Sequence, residues 1–147
     1  MKIAIGSDHR GFSLKERIKD MLAGEGHEIF DAGTYSEDPA DYPDYAFSVA
    51  EMTARGEADR GIVICGSGIG VSIAANKVDG VRAALVRTVD DARMTRRDND
   101  SNVLALSEAS GDDPRLGEII DAWLTTEFGG GRHKRRIDKI TDYENKR

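Results

Sequence analysis

At 147 residues, with 21 Lys and Arg against 27 Asp and Glu, the chain carries a net charge of −6, which argues against general nucleic-acid binding. That length suits one domain burying roughly two-thirds of the surface its unfolded form exposes, so no staple is needed. A single cysteine excludes an internal disulfide and a multi-cysteine metal site and fits an intracellular, cytoplasmic protein. The three histidines, His9, His27 and His133, lack ligand spacing, so neither a metal nor another cofactor is expected. No apolar run is long enough to span a membrane, and Met-Lys-Ile-Ala-Ile-Gly becomes a strand before a signal-like segment can develop. Lys2 to Gly6 reads as a buried first strand, and Phe12 to Leu22, with Leu14, Ile18, Met21 and Leu22 on one face, as the helix behind it. Gly24 and Gly26 end that helix, Glu28 to Phe30 makes a second strand, and Asp31 to Pro43 is a loop. Helix follows over Tyr45 to Arg55, strand over Gly61 to Cys65, helix over Gly70 to Lys77 and strand over Val81 to Val86. Asp90 to Arg97 is helical, Val103 to Leu106 is the fifth strand, and Leu116 to Glu127 is a helix carrying Trp123. Gly129-Gly-Gly131 then breaks the chain before Arg132 to Lys146, where Ile137 and Ile140 are spaced for one helical face.

This alternation predicts an α/β fold: one Rossmann-like three-layer domain over residues 1–147, with a five-stranded parallel sheet, helices on both faces and a C-terminal helical arm. A flavodoxin-like strand order, 2-1-3-4-5, reverses direction between the first and third strands and sets Ser7-Asp8-His9 beside Cys65-Gly66-Ser67 across the crevice where such sheets bind ligands. The arm over 129–147 contains a glycine hinge and is expected to pack on a partner subunit, giving a homodimer or a tetramer.

The stretch richest in chemistry is Arg60-Gly-Ile-Val-Ile-Cys65-Gly-Ser67-Gly68-Ile-Gly70, a buried strand running into a glycine turn and a helix. Its glycines permit a sharp turn that points successive N–H groups into one concavity, attractive to negative charge. A thiol thus stands beside an oxyanion cradle, and the helix that opens there favours the thiolate. A lone cysteine at a strand end is ordinarily a small buried hydrophobe; the adjoining turn argues for function. A dinucleotide loop is disfavoured because the spacing is G-x-G-x-G and the next strand ends in Arg87.

Taken with Gly6-Ser-Asp8-His9-Arg-Gly11-Phe, Asp41-Tyr42-Pro43, Asn99-Asp-Ser-Asn102-Val-Leu-Ala and Gly130-Gly-Arg132-His133 with Arg136, this stretch resembles the type B ribose-5-phosphate isomerases and the related galactose-6-phosphate isomerases, nearly end to end. The resemblance implies interconversion of aldose and ketose phosphates through a cis-enediolate, which needs a base, oxyanion donors and a proton shuttle. It implies Cys65 as the base, Ser67 as a proton relay, and the N–H groups of Gly66, Gly68 and Gly70 as oxyanion donors. Asp8 and Tyr42 would meet sugar hydroxyls, His9, Arg132 and Arg136 the phosphate, and Asn99 a hydroxyl or oxyanion. The bland alternatives are a capping Asp8, a packing Tyr42, a helix-ending Asn99 and a solvated basic face for the arginines. In the family the arginines reach a phosphate at the dimer interface.

Two departures stand out. The family usually carries a histidine, helping to open the furanose ring, where this chain has Asp98, the third residue set among the catalytic positions; a carboxylate ionised at neutral pH is a poor acid for a ring oxygen. The family often has Gly-x-Arg after the fifth strand, where this chain has Ser107-Glu108-Ala109. The expected reaction is ribose 5-phosphate to ribulose 5-phosphate. The competing readings are a substrate that forms no furanose ring, such as erythrulose 4-phosphate, and a sugar-phosphate binding module without catalysis, against which the thiol counts because binding alone does not require it.

Overall fold

The computed structural model describes residues 1–147. In chain order it comprises β1 (Lys2–Ser7), α1 (Phe12–Gly24), β2 (Glu28–Asp31), α2 (Tyr42–Ala54), β3 (Arg60–Cys65), α3 (Ile69–Ala75), β4 (Ala83–Leu85), α4 (Val89–Asn99), β5 (Val103–Ser107), a 3₁₀ turn (Glu108–Asp112), α5 (Leu116–Thr125) and α6 (Arg132–Glu144). Local chemistry explains several ends. Helix α2 starts three residues before the sequence suggests because Pro43 lies in its first turn, where a missing N–H costs nothing. Thr88 caps α4 by accepting the Asp91 N–H at 3.0 Å, Asp90 and Asp91 occupy its first turn and Arg96 and Arg97 its last, which suits the helix dipole at both ends.

The five strands form one parallel sheet, layered between helices as the βα alternation predicts. Ile3, Ile5, Ile62, Ile64, Leu104 and Leu106 face α1, α4 and α5 with Trp123, and Ala4, Val63, Cys65, Val103 and Ala105 face α2 and α3. The period-2 alternation of the strands is what assigns Cys65 to the α2/α3 side.

The order is β2-β1-β3-β5-β4, which corrects the expected 2-1-3-4-5 at its last two positions. The reason is burial. Val103, Leu104, Ala105 and Leu106 are wholly buried and need cover on both faces, so β5 takes the place beside β3. The three residues of β4 are only half-buried and fit a short edge strand. The reversal between β1 and β3 is unaffected, and Ser7 pairs in register with Ile64.

Helix α6 has no buried residue, and Ile140 and Tyr143 on it are exposed. It is moored by the Gly129 N–H on the Arg97 carbonyl at 2.9 Å, by the Gly80 N–H donating to Glu144 at 3.1 Å and by an Arg147–Asp79 ion pair. No helix is long and apolar enough to cross a membrane.

Candidate active site

Strand β3 delivers Cys65 to the carboxyl edge of the sheet, 95 % shielded from solvent, and the chain then turns through Gly66, Ser67 and Gly68 into α3. Gly68 takes a φ of +76°, and a Cβ there would lie 2.8 Å from the backbone of Leu106, so only glycine fits both the conformation and the space. The turn folds back on the thiol. The Gly68 N–H donates to Cys65 Sγ at 3.2 Å, an interaction that strengthens when sulfur carries charge, and the Ile69 N–H donates to Ser67 Oγ at 3.1 Å. The N–H groups of Gly66, Ser67 and Gly70 make no hydrogen bond within the protein. They are donors in want of an acceptor, next to a sulfur that is itself solvated by a backbone dipole.

Across the switch point, Asp8 is 94 % buried. Its Oδ1 accepts the N–H groups of Arg10 and Gly11 at 3.0 and 3.1 Å, so the carboxylate shapes the turn before α1 and retains Oδ2 for a ligand. The His9 ring is held to the loop before α2, with Nδ1 at 3.1 Å from the Ala40 nitrogen and 3.2 Å from its carbonyl oxygen. Tyr42, the first residue of α2, lays its ring on Gly70, where a Cβ would come within 2.8 Å of Cζ. Asp8, His9, Tyr42, Cys65 and Ser67 therefore line one edge.

Arg10 belongs there too, though nothing in its sequence context marks it. Its guanidinium covers Gly66, where a Cβ would meet Nη1 at 2.5 Å, and is paired with Glu108. Ser107 Oγ donates to the Gly66 carbonyl at 2.7 Å. The Ser107-Glu108 pair that departs from the family pattern thus braces the glycine turn from β5.

The remaining expected residues lie elsewhere. In the β3–β5 register Gly61 pairs with Val103 and Cys65 with Ser107. Asn99 precedes Val103 and so sits at the Gly61 end, four residues or about 13 Å of strand from the Cys65 end. Asp98, Asn99 and Arg136 line a cleft of about 570 Å³ with Asn76, Arg82 and His133. This is a larger cavity than any at the thiol, yet Cys65 is not in its wall. Arg132 opens α6 one turn before Arg136. Asp98 is gripped by Arg97, with Nε 2.6 Å from Oδ1 and Nη2 3.1 Å from Oδ2, and the His133 Nε2 lies 3.4 Å from Oδ1. The bonded Arg97 guanidinium holds the Asp98 carboxyl below the usual carboxylate range. Asp98 therefore stays ionised at neutral pH and has no proton to give to a ring oxygen.

The profile of the family described as Ribose/Galactose Isomerase matches residues 3–140. The ribose-5-phosphate isomerase B of Escherichia coli is 46 % identical, covering 99 % of this chain and 98 % of the relative. Among solved structures, that of Clostridium thermocellum ribose-5-phosphate isomerase B is 53 % identical with a TM-score of 0.95, covering 99 % of each chain. That of the Mycoplasma genitalium enzyme with bound ribulose-5-phosphate is 44 % identical with a TM-score of 0.93, covering 99 % of this chain and 97 % of that one.

Proposed function

Because the chain belongs to the ribose/galactose isomerase family and is a sugar-phosphate isomerase, we propose that it interconverts ribose 5-phosphate and ribulose 5-phosphate through a cis-enediolate, with Cys65 as the base. The observation that carries this reading is the turn after β3, where one N–H supports the sulfur and three neighbouring N–H groups lack partners. The thiolate takes the proton from the carbon next to the carbonyl. The negative charge that develops on the oxygens is met by the free N–H groups of Gly66, Ser67 and Gly70, while the Gly68 N–H supports the sulfur and the Ser67 hydroxyl carries a proton between the oxygens. Asp8 Oδ2 and the Tyr42 hydroxyl orient the sugar. His9 and the arginines Arg132 and Arg136 hold the phosphate, and Asn99 binds a hydroxyl. No cofactor takes part.

The two groups of residues lie at opposite edges of one sheet, further apart than an extended pentose phosphate. A two-fold homodimer unites them if the α4–α6 cleft of each copy abuts the glycine turn of the other, an isologous arrangement. The exposed Ile69, Ile73 and Phe47 beside that turn supply the apolar surface such a contact needs, and the arm over 129–147 supplies its other half. Mixing equal amounts of Cys65→Ala and Arg136→Ala subunits then creates one complete site in half of the dimers. About a quarter of wild-type activity returns at low substrate, where each parent alone is nearly inactive. If no activity returns after subunit exchange, the shared site is wrong.

Arg136→Ala is expected to raise KM at least about tenfold while lowering kcat less, because the phosphate it holds is remote from the reacting carbons. Steady-state kinetics on ribose 5-phosphate check this, and an unchanged KM rejects the assignment. A second reading, an acyclic substrate such as erythrulose 4-phosphate, is favoured by the ionised Asp98, since a substrate without a ring needs no ring-opening acid. Comparing kcat/KM for the two sugars decides between them.

A further inference from the structure

The geometry points to His133 as the residue that opens the furanose ring, with Asp98 as the residue that positions it. This inference rests on the pentose-phosphate reading above.

Ribose 5-phosphate is held largely as a cyclic hemiacetal, and enediolate chemistry requires its open aldehyde. Opening needs a group that takes a proton from one oxygen and returns it to another near neutral pH, a task for which imidazole is suited. The chain has three histidines. His27 has Nδ1 3.1 Å from the Met1 amino group, away from either set of site residues. His9 is fastened by Nδ1 to Ala40 beside the glycine turn. His133 alone shares the cleft of Asn99 and Arg136.

Its surroundings are those of an oriented imidazole. Nε2 faces the Asp98 carboxylate at 3.4 Å, and the side chain is only 15 % exposed. Asp98 is itself fixed by two bonds from Arg97, and the Arg97 carbonyl holds the Gly129 N–H at the start of the hinge that leads into α6. At that separation the carboxylate is an electrostatic partner for a proton on Nε2 rather than its hydrogen-bond acceptor, and Nδ1, which has no hydrogen-bond partner in the protein, is left to meet the substrate. A carboxylate behind one ring nitrogen with a reacting oxygen before the other is the arrangement that makes histidine a proton carrier in acyl transfer.

Written out, Nδ1 takes the proton of the anomeric hydroxyl. The C1–O4 bond breaks with its electron pair on O4 while C1=O forms, and the imidazolium then returns the same proton to O4. No proton is gained or lost overall, and nothing is oxidised or reduced.

The test compares wild type and His133→Asn on ribose 5-phosphate and erythrulose 4-phosphate. In parallel, exchange between the α and β anomers of ribose 5-phosphate labelled with ¹³C at C1 is followed by NMR in the Cys65→Ala background, where isomerisation does not intervene. Loss of about 100-fold in kcat/KM on the pentose, with less than about threefold on the tetrulose, is expected. Anomer exchange should be catalysed by Cys65→Ala and abolished by adding His133→Asn. Equal losses on both sugars, no loss on either, or anomer exchange that survives overturns the assignment. So does a wild type that acts on the tetrulose alone, in which case the isomerase reading still stands; a wild type that isomerises neither sugar removes both. Should His133→Asn not fold, Asp98→Asn carries the test. A pentose-selective loss of about tenfold supports the positioning role, and an equal or absent loss overturns it.

Discussion

Replacing Cys65 with alanine is expected to lower isomerisation by at least about 10³-fold while ligand affinity stays within a few fold. The side chain is small and buried, and Cys65→Ala removes one atom from the wall it shares with Val63 and Val71, so the fold should tolerate it. On the proposed mechanism, what disappears is the base. The backbone N–H groups of the turn remain, and with them most of the binding. The measurement is proton NMR in deuterated water on ribose 5-phosphate, alongside calorimetric titration with the same sugar. Wild type should introduce deuterium at the transferred carbon, and Cys65→Ala should bind without exchange. If binding and turnover fall together, the cysteine is a packing residue and a different base must be sought.

The largest stability effect should come from a place with no part in the chemistry. Lys15 is wholly buried in α1, with Nζ 2.8 and 2.7 Å from the two oxygens of Asp31 and 2.9 Å from Glu16 and the rings of Phe12 and Tyr35 on either side at 5.4 and 5.7 Å. Asp31→Asn strands that ammonium, and removing one partner of a buried pair costs about 3 kcal/mol. This corresponds to roughly 10 °C of Tm for a chain of this size. Adding Lys15→Met to Asp31→Asn should return most of the loss, because no buried charge is then left alone. Thermal unfolding of the three proteins checks both steps, and a single-variant shift below about 1 kcal/mol shows that Lys19 and Glu16 suffice to hold the ammonium.

The same cluster sets an acid limit. Burial pushes the Asp31 carboxyl up, but the bonds from Lys15, Lys19 and the Gly33 N–H outweigh it and hold it below its ordinary value. A carboxyl depressed by folding contributes stability that is fully present above its unfolded value, near 3.9, and is lost as pH falls through the still lower folded one. Acid unfolding below about pH 4 should therefore be shallower in Asp31→Asn than in the wild type.

Arrangements built from neighbours along the chain were legible without coordinates. The alternation of Ile3, Ile5, Ile62 and Ile64 with smaller residues assigns strand faces, because successive side chains on a strand point to opposite sides. The glycines after Cys65 announce a turn, and at Gly68 its conformation admits no other residue. The reversal of sheet direction between the first and third strands put Asp8 and His9 at the edge where the structure has them, and the family resemblance added Tyr42. The place of β5 was also written in Val103-Leu-Ala-Leu106, an unbroken apolar run longer and drier than Ala83–Leu85, although chain order alone suggests the reverse.

Contacts between residues far apart in sequence were not legible. Arg10 covers Gly66 under the pull of Glu108, 98 residues away, and Lys15 finds its counter-charge on the following strand. His133 meets Asp98 only because the glycine hinge folds α6 back along α4. Hydrophobic pattern fixes which face of an element turns inward, and it does so residue by residue. Which charged side chains then share a cleft depends on how whole elements pack, since a long polar side chain takes its position from the nearest opposite charge rather than from its sequence neighbours. The sequence by itself therefore determined the α/β layers, the thiol and its glycine turn. Only the tertiary structure decided that the C-terminal arm stands at the far edge of the sheet and that Asp98 is an ionised neighbour of His133, because both depend on packing that no local pattern encodes.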